Sequence, residues 1–276
     1  RPPRSTLFPY TTLFRSSSTR HFFLLKQLVR RDVTGRYRGS SLGRLWVLLS
    51  PLIMLAVYTF VFSVVFKVRW NTGGAATNTD FALNLFVGVL LHAVFGETLS
   101  RSPGIMRSQA SYVKKMIFPL WLMPLSAVIS ALVFCLFGFA VFVLFFLLFN
   151  GVPPLTALLL PLVLAPLALF ALGISWFLSA LGAYFRDIEQ VMPFFVTVLM
   201  FMAPIFYPAS AIPEPYQVLL LLNPLTYPVE AVRGLFFTGQ MVSPLGYVLY
   251  SVCALLVAAG GFLFFGRLRK GFADVV

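Results

Sequence analysis

Long runs of residues without a charge constrain this chain more than any other feature of its sequence. Residues 45–66 hold 22 consecutive uncharged residues, and residues 116–149 form a longer uncharged run. A helix needs about 20 apolar residues to cross the hydrocarbon core of a bilayer. Charged residues make up only 11% of the 276 residues, whereas soluble domains carry about 25%. The sequence therefore predicts an integral membrane protein that crosses the bilayer several times, and it excludes a soluble enzyme or a disordered chain.

Six of these apolar runs are suitable for membrane spans, so we predict an all-α fold with six transmembrane helices. The expected spans lie at about residues 45–66, 81–99, within 116–149, within 155–185, 191–207 and 244–265. A Pro-rich segment at about 208–243 separates the fifth and sixth spans. Its longest uncharged stretch after Glu214 has about 15 residues, which is short for a span and typical of a re-entrant pair of half-helices. A long interfacial loop is the alternative.

The basic residues are distributed unequally across this topology. With six spans, 18 of the 21 Lys and Arg residues fall on the side that holds both termini. The other side keeps Lys67, Arg69 and Arg233. Because Lys and Arg are enriched in cytoplasmic loops, we expect both termini to be cytoplasmic.

The chain before the first span divides into two parts. Residues 1–16 look unrelated to the rest of the chain, and we expect them to be a non-native leader. Residues 17–44 are expected to hold a cytoplasmic amphipathic helix in the membrane interface, because apolar residues recur on one face at helical spacing. A simple topology anchor is the alternative. The membrane domain then covers 45–266, and residues 267–276 form a cytoplasmic tail. The apolar face of the amphipathic helix consists of Phe22, Leu25, Val29 and Val33.

Two internal loops and one set of aromatic residues are candidates for function. Residues 108–115 could form a short basic helix that contacts an acidic partner, and residues 184–190 could contact a partner or close an internal salt bridge. Solvated loops are the alternative for both. Aromatic rings can pack on the C–H faces of sugars, so they could line a conduit, although lipid-facing or packing roles explain most Phe residues. The conduit candidates are Tyr58, Phe62, Phe201, Phe206 and Tyr207.

No catalytic or cofactor motif is present in the sequence. It contains no phosphate-binding loop, no G-x-S-x-G and no H-E-x-x-H, so we expect no enzyme activity, no metal and no cofactor. Cys135 and Cys253 lie in apolar runs where free Cys acts as a small hydrophobe. Glu97 is the one plausible intramembrane charge, which argues against coupling to an ion gradient. Uphill transport would therefore need ATP bound by another subunit.

Six short blocks, in order from about residue 20 to the end, resemble one known family. The chain is similar to ABC-2 type permeases that export O-antigen, capsule or teichoic-acid polymers. The blocks are RDVTGRYRGSSLG at 31–43, VKKMIFP at 113–119, FRDI at 185–188, PIFYP at 204–208, NPLT at 223–226 and FADV at 272–275.

This resemblance implies a homodimer of permeases with two copies of an ATP-binding subunit, in a bacterial cytoplasmic (inner) membrane. It implies that the amphipathic helix and the 108–115 loop dock on the ATPase, with loop 186–189 at the same face, and that the Pro-rich segment caps the external end of the conduit. The expected ATPase contacts are Arg30, Arg31, Arg36, Ser111, Tyr112, Lys114, Lys115, Arg186 and Asp187.

The leading functional hypothesis is thus the membrane subunit of an ATP-driven exporter of a lipid-linked polysaccharide or teichoic-acid-type polymer, in contact with membrane lipid and with no nucleic acid. Export of a drug or a simple lipid by an ABC-2 permease is the runner-up. A membrane-embedded enzyme or scaffold for glycan assembly is the third possibility, and the sequence shows no acidic cluster that would serve such an enzyme.

Overall fold

The computed structural model describes residues 17–36, 39–61, 78–114 and 118–275, and every regular element in those ranges is helical. The predicted all-α fold is therefore confirmed. The α-helices in chain order are α1 (Ser17–Gly35), α2 (Trp46–Tyr58), α3 (Asn78–Arg101), α4 (Ile105–Ser108), α5 (Ala110–Val113), α6 (Leu122–Phe149), α7 (Leu160–Tyr184), α8 (Asp187–Met202), α9 (Gln217–Leu222), α10 (Thr226–Arg233), α11 (Pro244–Leu268) and α12 (Phe272–Val275).

Four helical segments are long and apolar enough to cross a membrane, and they contain α3, α6, α7 and α11. They have 28 to 30 residues each, which corresponds to at least about 42 Å of helix. A shorter apolar helical segment, Trp46–Val61, lies in the predicted first span, whose expected end falls outside the described residues. These helices establish a multi-pass membrane protein, and the count of six spans stays a prediction.

Local sequence explains where the long helices begin and end. Pro244 occupies the first position of α11, where a missing N–H costs nothing. The Ser243 side chain caps the same end by accepting a hydrogen bond from the Gly246 N–H. Between α6 and α7 the chain turns at Gly151, whose φ of 82° is readily adopted only by glycine. Gly151 therefore allows the chain to reverse between these two helices.

Helix α3 lies at the centre of the bundle. Within its membrane-spanning window 78% of the residues are buried, compared with 22% to 39% for the other three. It packs against α2, α6, α7, α8 and α10. The more peripheral α11 packs closely on α7, because a Cβ atom at Gly261 would lie only 2.0 Å from the carbonyl oxygen of Gly173. Small residues at such crossings let two membrane helices approach closely.

The Pro-rich segment forms a broken pair of short helices. Helix α9 is largely exposed, with Leu221 at 82%, whereas α10 packs against α3 and α7 and buries Val229 and Val232 completely. A π-helical turn, Gly234–Thr238, follows α10. This agrees with the expected half-helix pair in its helical content, while its depth in the membrane stays a prediction.

Two expectations about helix faces and ends need refinement. Helix α1 ends at Gly35 and covers only the first part of residues 17–44. Its most buried side chain is Leu28, which the predicted face did not include, whereas Phe22 is 68% exposed. Leu25, Val29 and Val33 are half-buried, so only Phe22 of the predicted face is exposed, and α1 packs on α6. Helix α8 ends at Met202, earlier than the fifth span was expected to end, because residues 203–207 form a turn.

Candidate functional site

A network of charged side chains connects α1 to α3 at one end of the bundle. The Arg36 guanidinium donates to Glu97 at 2.8 Å. The Arg101 guanidinium donates to Glu97 at 3.3 Å and to Asp32 at 3.1 Å. Two of these ion pairs join residues more than 60 positions apart, and the third joins two residues of α3. The two long-range pairs therefore hold the C-terminal end of α1 against the last turns of α3.

Two further contacts extend this network. The Arg31 guanidinium donates to the Gln109 side chain at 3.0 Å, which joins α1 to the loop after α3. The Arg36 guanidinium also lies 4.3 Å from the centroid of the Phe134 ring on α6, a favourable cation–π distance. Arg31 and Arg36 were expected to contact an ATPase, and the structure shows that each also has partners within the chain.

The two predicted loops meet at this same end. Arg107 of α4 forms an ion pair with Glu189 in the first turn of α8, which confirms the internal salt bridge that the sequence left open for loop 184–190. The Tyr184 hydroxyl donates to the carbonyl oxygen of Leu268 at 3.0 Å, which brings the start of the basic C-terminal tail alongside. We call this region, formed by α1, the end of α3, α4, α5 and the start of α8, the basic end of the bundle.

The other expected ATPase contacts lie at the basic end with varied exposure. Tyr112 is half-buried, and its ring lies 5.0 Å from that of Phe118. Lys115 falls outside the described residues. The exposed members of the set are Arg30, Ser111, Lys114, Arg186 and Asp187.

The structure brings four of the conduit candidates together near the C-terminal end of α8, whereas the basic end of the bundle includes the start of this helix. Tyr58 and Phe206 pack against the buried residues Phe81 and Leu85. The rings of Phe201 and Phe206 stack with centroids 5.6 Å apart. The Tyr207 hydroxyl donates to the carbonyl oxygen of Phe201 at 2.8 Å. Phe62 lies outside the described residues.

A buried arginine was missed by the sequence analysis, which placed Arg233 only within the Pro-rich segment, on the side opposite the termini. Only 6% of Arg233 is exposed. Its guanidinium donates to the carbonyl oxygens of Asn84 at 3.0 and 3.1 Å, Pro204 at 2.5 Å and Ile205 at 3.0 Å, and to the Glu230 carboxylate at 3.3 Å. A lone Arg in an apolar, Pro-rich segment was the signal that could have revealed it, because such a charge needs several acceptors when buried.

The described residues contain no group of three or more His, Cys, Asp or Glu side chains suited to a metal ion. What the arrangement does provide is a helical membrane body with a basic end and a separate aromatic cluster. A comparison with protein families identifies its class, since the model of the ABC-2 type transporter matches residues 24–237. The chain belongs to this family.

Individual relatives extend the match to nearly the whole chain. An O-antigen export system permease protein RfbA of Klebsiella pneumoniae is 27% identical over 256 residues, which cover 92% of this chain and 95% of the relative. A protein of the same name from Myxococcus xanthus is 28% identical over 191 residues, which cover 69% of this chain and 70% of the relative.

Proposed function

We propose that this chain is the permease subunit of an ABC exporter that moves an O-antigen-type, lipid-linked polysaccharide across the bacterial cytoplasmic membrane. The observation that carries the proposal is the similarity over 92% of the chain to a protein named as an O-antigen export permease. Membership of the transporter family and the four long apolar helices support the same conclusion. Capsule and teichoic-acid polymers are the neighbouring cargoes that this family resemblance allows.

The energy for export comes from a separate ATP-binding subunit in this proposal. The sequence has no phosphate-binding loop, and the basic end of the bundle offers exposed Lys114, Arg186 and Arg30 to an acidic partner surface. We propose two copies of this chain and two copies of the ATPase, with both termini in the cytoplasm. The basic end then faces the cytoplasm, because Lys and Arg mark the inner side of a membrane protein.

The aromatic cluster supplies the surface over which a glycan would pass. Phe201 is 60% exposed, Tyr58 and Phe206 are half-buried, and Tyr207 adds a hydroxyl whose position is fixed by its bond to Phe201. Apolar ring faces suit sugar C–H groups and bind no single hydroxyl tightly, which suits the passage of a long polymer.

Deletion of the gene in its own host tests the proposal. We expect loss of surface polysaccharide and accumulation of the polymer inside the cell, measured by surface antibody labelling of intact and lysed cells. Re-expression of the chain should restore export, and restoration should fail when the ATP-binding partner carries an inactivated phosphate-binding loop. Normal surface polymer together with a lost drug-resistance or lipid-efflux phenotype would contradict the proposal and favour a smaller cargo.

A further inference from the structure

A cavity of about 870 Å³ lies at the basic end of the bundle, between α1, α3, α6 and α8. It is bordered by the charged network described above, by His92 and by the ring of Phe134. The His92 ring is held in place by a 3.0 Å hydrogen bond between Nε2 and the carbonyl oxygen of Val196 on α8. The charged residues around the cavity are Arg31, Asp32, Arg36, Glu97 and Arg101.

The cations and the acids of this network differ in exposure. The side chains of Arg31, Arg36 and Arg101 are 46%, 43% and 39% exposed. Those of Asp32 and Glu97 are only 10% and 17% exposed. The carboxylates are therefore more deeply buried than the guanidinium groups with which they pair, and all five residues border the cavity. A guanidinium has five N–H donors arranged in a fork that matches phosphate, and three cations against two acids leave the cluster positive.

A second cavity adjoins the first and is apolar. It has a volume of about 270 Å³ and shares Arg36, Glu97 and Phe134 with the larger cavity. It continues between α2, α3 and α6, and Met54, which lines it, is 51% exposed. Its neighbours on α2, Ile53 and Val57, are 45% and 48% exposed. The apolar cavity therefore opens laterally onto an exposed apolar surface of α2, where lipid chains would reach it.

We propose that the two adjoining cavities form a binding site for a phosphorylated membrane lipid. The phosphate would lie against Arg36, Arg101 and Arg31, and the first part of the apolar chain would occupy the cavity beside α2. Asp32 and Glu97 would act as positioning residues that hold the guanidinium groups. An inorganic anion or an acidic protein loop would use the positive cluster and leave the apolar cavity unfilled, so neither accounts for both halves of the site. A lipid carrier of the glycan and a resident anionic phospholipid share the chemistry that this site requires. The first source rests on the proposed export function and would place the lipid part of the cargo, whereas the second is independent of it.

Binding to the purified full-length chain in detergent micelles tests the proposal, with native mass spectrometry as the readout. The probes are undecaprenyl diphosphate, palmitoyl-oleoyl-phosphatidylglycerol, undecaprenol and inorganic diphosphate. We expect saturable binding of at least one of the two phosphorylated lipids, and the tighter one identifies the source of the ligand. Undecaprenol and inorganic diphosphate should each bind at least about tenfold more weakly than that lipid, because each satisfies only half of the site.

Two variants and one control separate the charged and apolar halves. The double variant Arg36→Gln and Arg101→Gln should weaken lipid binding about tenfold or more through the loss of charge-assisted hydrogen bonds. Met54→Trp should fill the apolar cavity and weaken lipid binding without touching the ion pairs. Lys26→Gln removes an exposed cation of α1 that does not line either cavity, and binding should stay within about twofold.

The proposal is overturned if undecaprenol binds as well as undecaprenyl diphosphate, or if neither phosphorylated lipid responds to the arginine and Met54 variants. Equal binding of inorganic diphosphate would also overturn it, since the apolar half would then contribute nothing. Each of these results leaves the export proposal intact, because the surface-polymer assay is measured in cells without reference to this site.

Discussion

Arg233 connects three separate parts of the chain where α8 ends and α10 packs on α3. The carbonyl groups of Pro204 and Ile205 lie in the turn after α8, where no helix continues to satisfy them. In a membrane protein such groups need an internal partner, and the Arg233 guanidinium provides it while also reaching Asn84 on α3. One side chain therefore ties together α3, the turn and α10.

Replacement of Arg233 should destabilise this region strongly. Arg233→Met removes the donor from the Pro204 and Ile205 carbonyl groups, which lie outside any helix, and Arg233→Lys loses the planar fork, so we expect a cost of about 3 kcal/mol for the first and somewhat less for the second. The measurement is thermal unfolding of the detergent-purified protein together with surface export. Arg267→Lys, at an exposed position on α11, should leave both unchanged, and an unchanged melting temperature for Arg233→Met would contradict the assigned role.

At the scale of elements, the sequence predicts the interiors of the long helices well and their ends less well. Helices α7 and α11 lie within or close to the predicted spans because hydrophobicity over more than 20 residues is a local property of the chain. Helix α8 ends before Ala203, whose extended conformation is the one favoured before a proline, so Pro204 is a local signal for that end. The contact of Arg233 with the turn that follows has no such local signal. The same reason hides the burial of Leu28, since only tertiary structure decides which apolar side chains of α1 are covered.

For the candidate site, too, the sequence predicts the segments that take part and does not predict the contacts between them. Composition and charge placement identified the loops at the basic end, and the structure does bring them together. The pairs themselves join distant residues, such as Arg107 with Glu189 and Arg36 with Glu97. A single sequence does not specify which acid meets which base, so Arg36 was expected to be an outward contact and proves also to hold α1 against α3.

The exposed start of α8 allows a test of the proposed ATPase docking surface. Arg186 is exposed next to the Arg107–Glu189 pair, so Arg186→Glu should reverse a charge at the docking face without breaking that pair. We expect the ATP-binding subunit to co-purify at about one-tenth of the wild-type level, because like charges are then juxtaposed across the interface. Arg267→Glu, an equal charge change at an exposed position near the end of α11 and outside the predicted contacts, is the matched control. Equal loss with both variants would indicate a general charge effect and contradict a specific contact at Arg186.

At the scale of the whole molecule, α8 has one packed face and one uncovered face. Met192 is buried on the packed face, which contacts α3. On the other face Phe194, Phe195 and Phe201 are 69%, 53% and 60% exposed. Phe201 also stacks on Phe206 of the aromatic cluster, so this face continues into the proposed conduit surface. A second copy of the chain that faced α8 would enclose the aromatic residues between two protomers, which is the arrangement that the proposed conduit predicts.

Cross-linking between copies distinguishes this arrangement from a lipid-facing α8. In a background carrying Cys135→Ala and Cys253→Ser, we expect Phe201→Cys to give a cross-linked dimer with a short bismaleimide in membranes, because residues near a two-fold axis meet their own copies. Leu256→Cys on α11, where the leucine is 66% exposed, is the control and should remain monomeric. A dimer from the α11 position and none from the α8 position would place the protomer interface on α11, and the aromatic face of α8 would then have to contact lipid instead of the exported glycan.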